Sequence, residues 1–304
     1  MSTPHVCDTS FVRLLRRDRG AWWRVVVASV LGLAGLVVAS ILVALVMVAV
    51  ARLFGHRLSF SSADGTSAAE LFAANASLAA LIPVAGGLVL LLYRVSPREL
   101  SSVRPGLRWT WLGRTAVVAA LVSSPLFLLA LASAVILRAD PLDLGVVGFA
   151  VVVVLTTPFQ AAGEEYLFRG LLLQGLGATR LPAWVCYCLS GGIFAAAHLQ
   201  FAPPVFADRF VLGVALAWLA GRTGGLEAGI AIHTAKNIAV LIPAGVLGEV
   251  GSALDPSGAS WAPLVLDVIT LAVFIGWIVA EQRRRWPVIR PGLPVGWAPP
   301  PARG

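Results

Sequence analysis

Residues 144–175 read LGVVGFAVVVVLTTPFQAAGEEYLFRGLLLQG, and the reading of this stretch decides the fold. From Leu144 to Gly163 it carries no charge, and ~20 such residues are what a helix needs to cross the hydrocarbon of a bilayer. Glu164 and Glu165 interrupt the run, yet Tyr166, Leu167, Phe168, Leu171, Leu172 and Leu173 carry its apolar character on. The spacing predicts a helical stretch from Leu144 to about Gly175, with the acids buried two turns or more from its end. That is overlong for one straight span, so tilt or a break near Gly163 is expected. The plain alternative ends the span at Gly163 and leaves both acids wetted at the interface.

The rest of the chain is equally apolar. Of 304 residues, 58% are hydrophobic and only 12% charged, about half the charge of a soluble domain, which excludes a soluble fold. Nearly uncharged runs occur at Val25–Ala51, Leu71–Tyr93, Thr115–Leu137, Leu144–Gly163, Leu181–Ala207, Phe210–Gly221, Ala228–Gly248 and Trp261–Ala280. They predict an all-α polytopic membrane bundle of about eight transmembrane helices. Phe210–Gly221 is short and needs its flanks, and Ala228–Gly248 is interrupted by Lys236. The first run has no small-residue cleavage site and reads as a retained anchor.

The net charge of +8 is a topology signal. Arg13, Arg16, Arg17, Arg19, Arg24, Arg94, Arg98, Arg104, Arg108, Arg114, Arg180, Arg222, Arg283, Arg284, Arg285, Arg290 and Arg303 fall on one side of an even number of spans. Only Arg52, Arg57, Arg138 and Arg209 fall on the other. Shifting the count by one span would destroy that bias, so both termini are expected in the cytoplasm and the chain in the cytoplasmic (plasma) membrane. The basic excess then calls for no nucleic acid, and no glycine-rich phosphate loop or 20–50-residue repeat is evident. Cys7, Cys186 and Cys188 cannot form a disulfide framework and read as small buried apolar groups. The proline-rich end after Arg285 reads as an extended tail.

Polar groups inside spans are expensive and few. Glu165 and Arg169, at i and i+4, share a helix face, whereas the adjacent Glu164 and Glu165 lie 100° apart and cannot face one point. One carboxylate can therefore be neutralised while its neighbour stays free. His198 stands four residues after Phe194, and Asn237 four after His233, so each pair shares a face. Each has a bland reading: a histidine hydrogen-bonded in a core, or a His–Asn pair gluing helices. Lys236 is assigned no chemistry beyond snorkelling or pairing with an acid, and Asp267 reads as a near-interface group. Counted at ~1.5 Å per residue from the flanking turns, Glu164, His198 and His233 lie roughly 18, 24 and 14 Å into the bilayer, so convergence at mid-depth is expected.

A carboxylate beside one or two imidazoles can deprotonate a water, directly or through a divalent metal, while nearby donors stabilise an oxyanion. The chain has no serine in a nucleophile elbow and no His-Glu-x-x-His pair. Water is the expected attacker.

Glu164-Glu165-Tyr-Leu-Phe-Arg169 resembles the EExxxR block, Phe194-Ala-Ala-Ala-His198 the FxxxH block and His233-Thr-Ala-Lys-Asn237 the HxxxN block of the CPBP intramembrane protease family. That family holds the type II CAAX prenyl endopeptidases and the Abi, or bacteriocin-processing, proteins. The resemblance covers roughly residues 144–244; the first three spans carry nothing diagnostic. It implies that Glu164 activates water with His198, that His233 and Asn237 hold the water or the oxyanion, and that Glu165, Arg169 and Phe194 order the site. If a metal is used, Glu164, His198 and His233 are its implied ligands and zinc the first choice, with a metal-free mechanism equally open.

The chain then divides into a basic N-terminus (1–20), N-terminal transmembrane helices (21–143), a CPBP/Abi-like catalytic core (144–248), a last transmembrane helix (249–281) and a proline-rich cytoplasmic tail (282–304). The resemblance implies a hydrolase, a (metallo)protease acting on a membrane-associated peptide or protein, prenylated or not, within the lipid bilayer. Two other classes fit the residues. In an ion- or proton-coupled transporter, Glu164, Glu165 and His198 would form a relay, with helix breaks at Pro158, Gly163, Pro203 and Pro204. In a non-catalytic membrane immunity or interaction protein the same groups would only lock helices together.

Overall fold

A computed structural model describes residues 11–15, 22–55, 67–138, 141, 143–248, 250 and 260–285. Cys7, Arg16, Arg17, Arg19, Arg57, Arg290 and Arg303, and with them most of the basic N-terminus and of the proline-rich tail, lie outside the described residues. The rest is an all-helical membrane bundle: α1 (Trp22–Leu53), α2 (Ala68–Ala79), α3 (Leu81–Tyr93), α4 (Trp109–Leu137), α5 (Leu144–Glu165), a π-helical segment (Tyr166–Leu173), α6 (Gln174–Gly177), α7 (Ala183–Ala197), α8 (Pro203–Thr223), α9 (Glu227–Leu247) and α10 (Ala262–Arg285). Among the described residues, seven stretches are long and apolar enough to span a bilayer, with α2 and α3 together making one and α5 through α6 another; α7 is an eighth, shorter apolar helix.

Local chemistry sets the ends. Ser67 accepts from the Glu70 amide while the Glu70 carboxylate accepts from the Ser67 amide, a capping box that starts α2. Asp143 accepts from the Val146 amide to start α5. Gly224 and Gly248 close α8 and α9 at φ +72° and +73°, a left-handed conformation that glycine adopts without steric penalty.

Two boundaries depart from the apolar pattern. The run Leu181–Ala207 is not one span: α7 stops at Ala197, Leu199 takes φ +55°, and α8 begins at Pro203. Pro203 and Pro204 open α8, where their missing amide protons cost nothing, so the short run Phe210–Gly221 takes its missing turns from residues assigned to its neighbour, while Pro158, a candidate break, lies inside the continuous α5. The helix of residues 144–177 does not break at Gly163 either. It continues to Glu165 and then winds into the π-helical segment, which absorbs the surplus length as a wider turn.

Gly163 has a different duty, because α2 crosses it so closely that a Cβ there would overlap the Leu78 carbonyl. Asn75 fixes the same crossing by donating from Nδ2 to Thr156 Oγ1 at 2.7 Å. Gly163→Val is expected to force the two helices apart and to destabilise by about 1–3 kcal/mol or more, read as a lower thermal unfolding midpoint in detergent.

Contacts between helix ends bring Arg114 and Arg222 to the same end of the bundle. Arg114 pairs with Glu281 at 2.9 Å, Gln282 donates to the Arg222 carbonyl, and Gly177 lies against the Val12 carbonyl, all on one side. The 94–108 connection closes this basic side: Val103 donates to the Gly224 carbonyl, the Leu226 amide to the Ser101 carbonyl, and Arg108 holds the fully buried Glu227 carboxylate through its amide, Nε and Nη2. On the opposite side the Arg138 guanidinium bonds the Val246 carbonyl. Outward faces carry exposed Val26, Leu45, Leu121, Leu155 and Val273, as a lipid-facing surface should. Cys186 is buried as expected, but Cys188 is exposed, since two residues of helix turn it to the other face.

Candidate active site

α5 and α9 run antiparallel, and their polar residues meet in register. On α5, Gln160 and Glu164 are one turn apart; on α9, Asn237 and His233 are one turn apart. Asn237 Nδ2 donates to Gln160 Oε1 at 2.9 Å, and His233 Nε2 stands 3.4 Å from Glu164 Oε2. Further along, Phe149 packs against Gly245, and Glu165 Oε2 comes so near Gly229 that a Cβ there would lie 2.9 Å from it. Small residues on α9 thus admit the bulky and charged ones of α5.

The adjacent glutamates, expected to face different points, are engaged by a single ring. His233 Nδ1 lies 3.1 Å from Glu165 Oε1 while Nε2 faces Glu164. An imidazole has a nitrogen on each of two edges, so one ring spans two carboxylates that diverge by 100° on their helix. Arg169 Nη1 donates to the same Glu165 Oε1 at 2.9 Å, and its Nη2 donates to the Gly213 carbonyl at 3.1 Å. Glu165 and Arg169 are both fully buried. Their i, i+4 spacing is kept across the junction between α5 and the π-helical segment, and wider turns of this kind recur at functional sites.

Phe194 is the hub for the remaining groups. The Arg169 guanidinium sits over its ring at 4.3 Å, and Phe168, His198 and His233 approach it edge-on at 5.2, 4.7 and 5.9 Å between centroids. His198 caps the end of α7. Its Nδ1 lies 2.8 Å from the Phe194 carbonyl, an acceptor, so the ring proton belongs on Nδ1 and Nε2 keeps its lone pair. Glu164 and His233 both lie within electrostatic range of His198 and approach each other to 3.4 Å. Glu164 Oε2 and Glu165 Oε2 are both buried without a hydrogen bond from the protein, and Glu165 differs in its Oε1, which has Arg169 and His233 as partners.

Glu, His and His are donor types that zinc takes. Among the described residues, however, no group of three or more His, Cys, Asp or Glu side chains stands in a metal-holding arrangement. As placed, the site offers two facing donors, Glu164 and His233, while His233 Nδ1 is turned to Glu165. The set does not fit a metal in this conformation.

Three polar partners escaped the sequence reading. Gln160 carried a signal, standing one turn before Glu164 as His233 stands one turn before Asn237. Asp208 looked like a boundary between two runs but is buried and bonded to Lys236 at 2.8 Å. Asp267 is no isolated near-interface group, because it contacts the same lysine. Partners so far apart in the chain leave no local trace.

Residues 146–239 match the family model described as type II CAAX prenyl endopeptidase Rce1-like. The match begins in the first turn of α5, ends in α9, and contains Glu164, Glu165, Arg169, Phe194, His198, His233 and Asn237. No curated protein and no solved structure matches the chain.

Proposed function

We propose that this chain, which carries in residues 146–239 the core of the CPBP/CAAX-type protease family, is an intramembrane endopeptidase that hydrolyses a peptide bond of a membrane-associated or lipidated substrate. The observation that carries the reading is the asymmetry of the two glutamates. Glu165 is ion-paired with Arg169 at 2.9 Å and also held by His233, whereas Glu164, one residue away, has no arginine bonded to it and faces His233 Nε2 at 3.4 Å. A carboxylate left outside the arginine ion pair and set beside an imidazole is placed to take a proton from water.

In the proposed reaction Glu164 takes one proton from a water positioned with the help of the His198 Nε2 lone pair. The water oxygen bonds to the substrate carbonyl carbon, and the carbonyl oxygen becomes an oxyanion. The second Asn237 N–H, the one not given to Gln160, is a donor for that charge, and His233, whose Nδ1 proton goes to Glu165, offers its Nε2 lone pair on the same face of α9 to hold the water. Glu164 then returns its proton to the amide nitrogen as the C–N bond breaks, leaving a carboxylic acid and an amine. Phe194 and Arg169 position the two imidazoles. His233 lies six residues into α9, about 9 Å from the basic side, which the arginine bias assigns to the cytoplasm. A substrate anchored at that face reaches the site with a short extended segment.

The test is incubation of purified protein with a membrane-peptide library in prenylated and unprenylated forms, read by mass spectrometry. Fragment pairs whose masses add to the parent plus one water are expected, and a library left intact by folded protein overturns the reading. A chelator arm decides the metal. Cleavage lost and restored by zinc would assign Glu164, His198 and His233 to an ion, whereas cleavage that persists leaves water activation to the side chains.

A further inference from the structure

A second buried charged cluster lies outside the catalytic groups. Lys236 Nζ donates to Asp208 Oδ2 at 2.8 Å and contacts Asp267 Oδ2, tying α9 to α8 and α10. The three side chains are 17%, 11% and 19% exposed. Arg209, beside Asp208, lies within electrostatic reach of Asp208, Asp267 and Glu164. Charges inside membrane helices are costly, and well-packed apolar side chains would hold three helices together without them. What ionic bonds add is register, because they are made in one arrangement only.

The register concerned is that of the active site. Lys236 stands between His233 and Asn237 on α9, so fixing its ammonium fixes the rotation and height of both. Asp208 lies early in α8, which is joined to His198 by only the four residues Leu199–Ala202, one of them at positive φ. Holding Asp208 therefore holds the segment that carries His198. Asp267 comes from α10, beyond the family-matched residues.

We infer that Lys236, Asp208 and Asp267 form a positioning clamp that sets His198 against His233 across the active site, with one arm supplied from outside the matched core. The inference rests on the hydrolase reading for its kinetic consequence and on the geometry alone for its structural one.

Two readouts on the full-length protein in detergent test it. In Lys236→Met, kcat per folded molecule is expected to fall about tenfold to a hundredfold with KM little changed, as when reacting groups are misplaced by about an ångström. Lys236→Arg, which keeps a cation between two carboxylates, is expected to recover most of the loss. In parallel, 15N-histidine spectra should show the ring signals of His198 and His233 shifted in Lys236→Met and returned in Lys236→Arg; with four histidines in the chain the spectrum is simple. Unshifted rings, or unchanged kcat, in folded Lys236→Met overturn the clamp. Should Lys236→Met fail to fold, Asp267→Asn, which keeps the Lys236–Asp208 bond, is read by the same two criteria. If the wild type cleaves nothing, the hydrolase reading fails by itself and the ring signals alone decide the clamp.

Discussion

Glu164→Gln is expected to reduce peptide hydrolysis by about 10²–10⁴-fold, the range a positioned general base contributes, while the protein folds and melts as the wild type does or slightly higher. The separation of the two effects follows from what Glu164 touches. Its Oε2 accepts no hydrogen bond from the protein, so an isosteric amide breaks none and removes a buried charge that is expensive to keep. His233, which faces it at 3.4 Å, is still held by Glu165. Glu165→Gln differs at every point. It weakens both the Arg169 and His233 bonds to a fully buried carboxylate, and its loss of activity is expected to come with loss of folded protein. Activity assays and thermal unfolding of the two purified variants, side by side, distinguish a catalytic glutamate from a structural one. Full cleavage by folded Glu164→Gln would remove the assignment. A transporter using the same carboxylate as a relay would instead lose uptake in Glu164→Gln and cleave no peptide in either form.

The contrast between adjacent glutamates also shows where sequence reading reaches and where it stops. Glu165–Arg169 was legible because i, i+4 pairs lie on one face of any helix, and the pairing survives the change from α to π winding. The span of residues 144–177 was legible because hydropathy reports what lipid demands of every backbone group. The π-helical turn was not, since nothing in Tyr166–Leu173 distinguishes a wider winding from an ordinary helix, and the surplus length pointed to tilt or a break near Gly163 instead. Gly163 was visible as a glycine but not as a crossing point, because the carbonyl it accommodates belongs to Leu78. The true break, between Ala197 and Pro203, was hidden inside an apolar run, although the Pro203-Pro204 pair marks it in retrospect. Hydropathy gives no register, and so the meeting of Gln160 with Asn237, of Glu164 with His233, and of Lys236 with two acids from other helices could emerge only from the packed structure.

Arg169→Ala is expected to be the most damaging single change to stability, about 3–5 kcal/mol, the usual result of removing one partner of a buried ion pair. Several losses fall together. Glu165 keeps only His233 as a partner on a carboxylate with no access to water, the Gly213 carbonyl loses its donor, and the Phe194 ring loses the guanidinium packed on its face at 4.3 Å. Against a total stability of about 5–15 kcal/mol for a typical domain, that is enough to lower the yield of folded protein as well as its melting point. Arg169→Lys should rescue little, because a single ammonium cannot reach the carboxylate and the Gly213 carbonyl at once and does not lie flat on an aromatic ring. The double change Arg169→Met with Glu165→Gln is expected to recover part of the loss in stability, since it replaces an orphaned charge with neutral groups of similar volume, yet to remain inactive because His233 loses the carboxylate that holds its Nδ1. Thermal unfolding of the wild type, Arg169→Met, Glu165→Gln and the double change in one detergent forms the cycle. Arg169→Ala melting with the wild type would show that Glu165 finds its balance elsewhere, and the division of labour between the two glutamates would then have no structural basis.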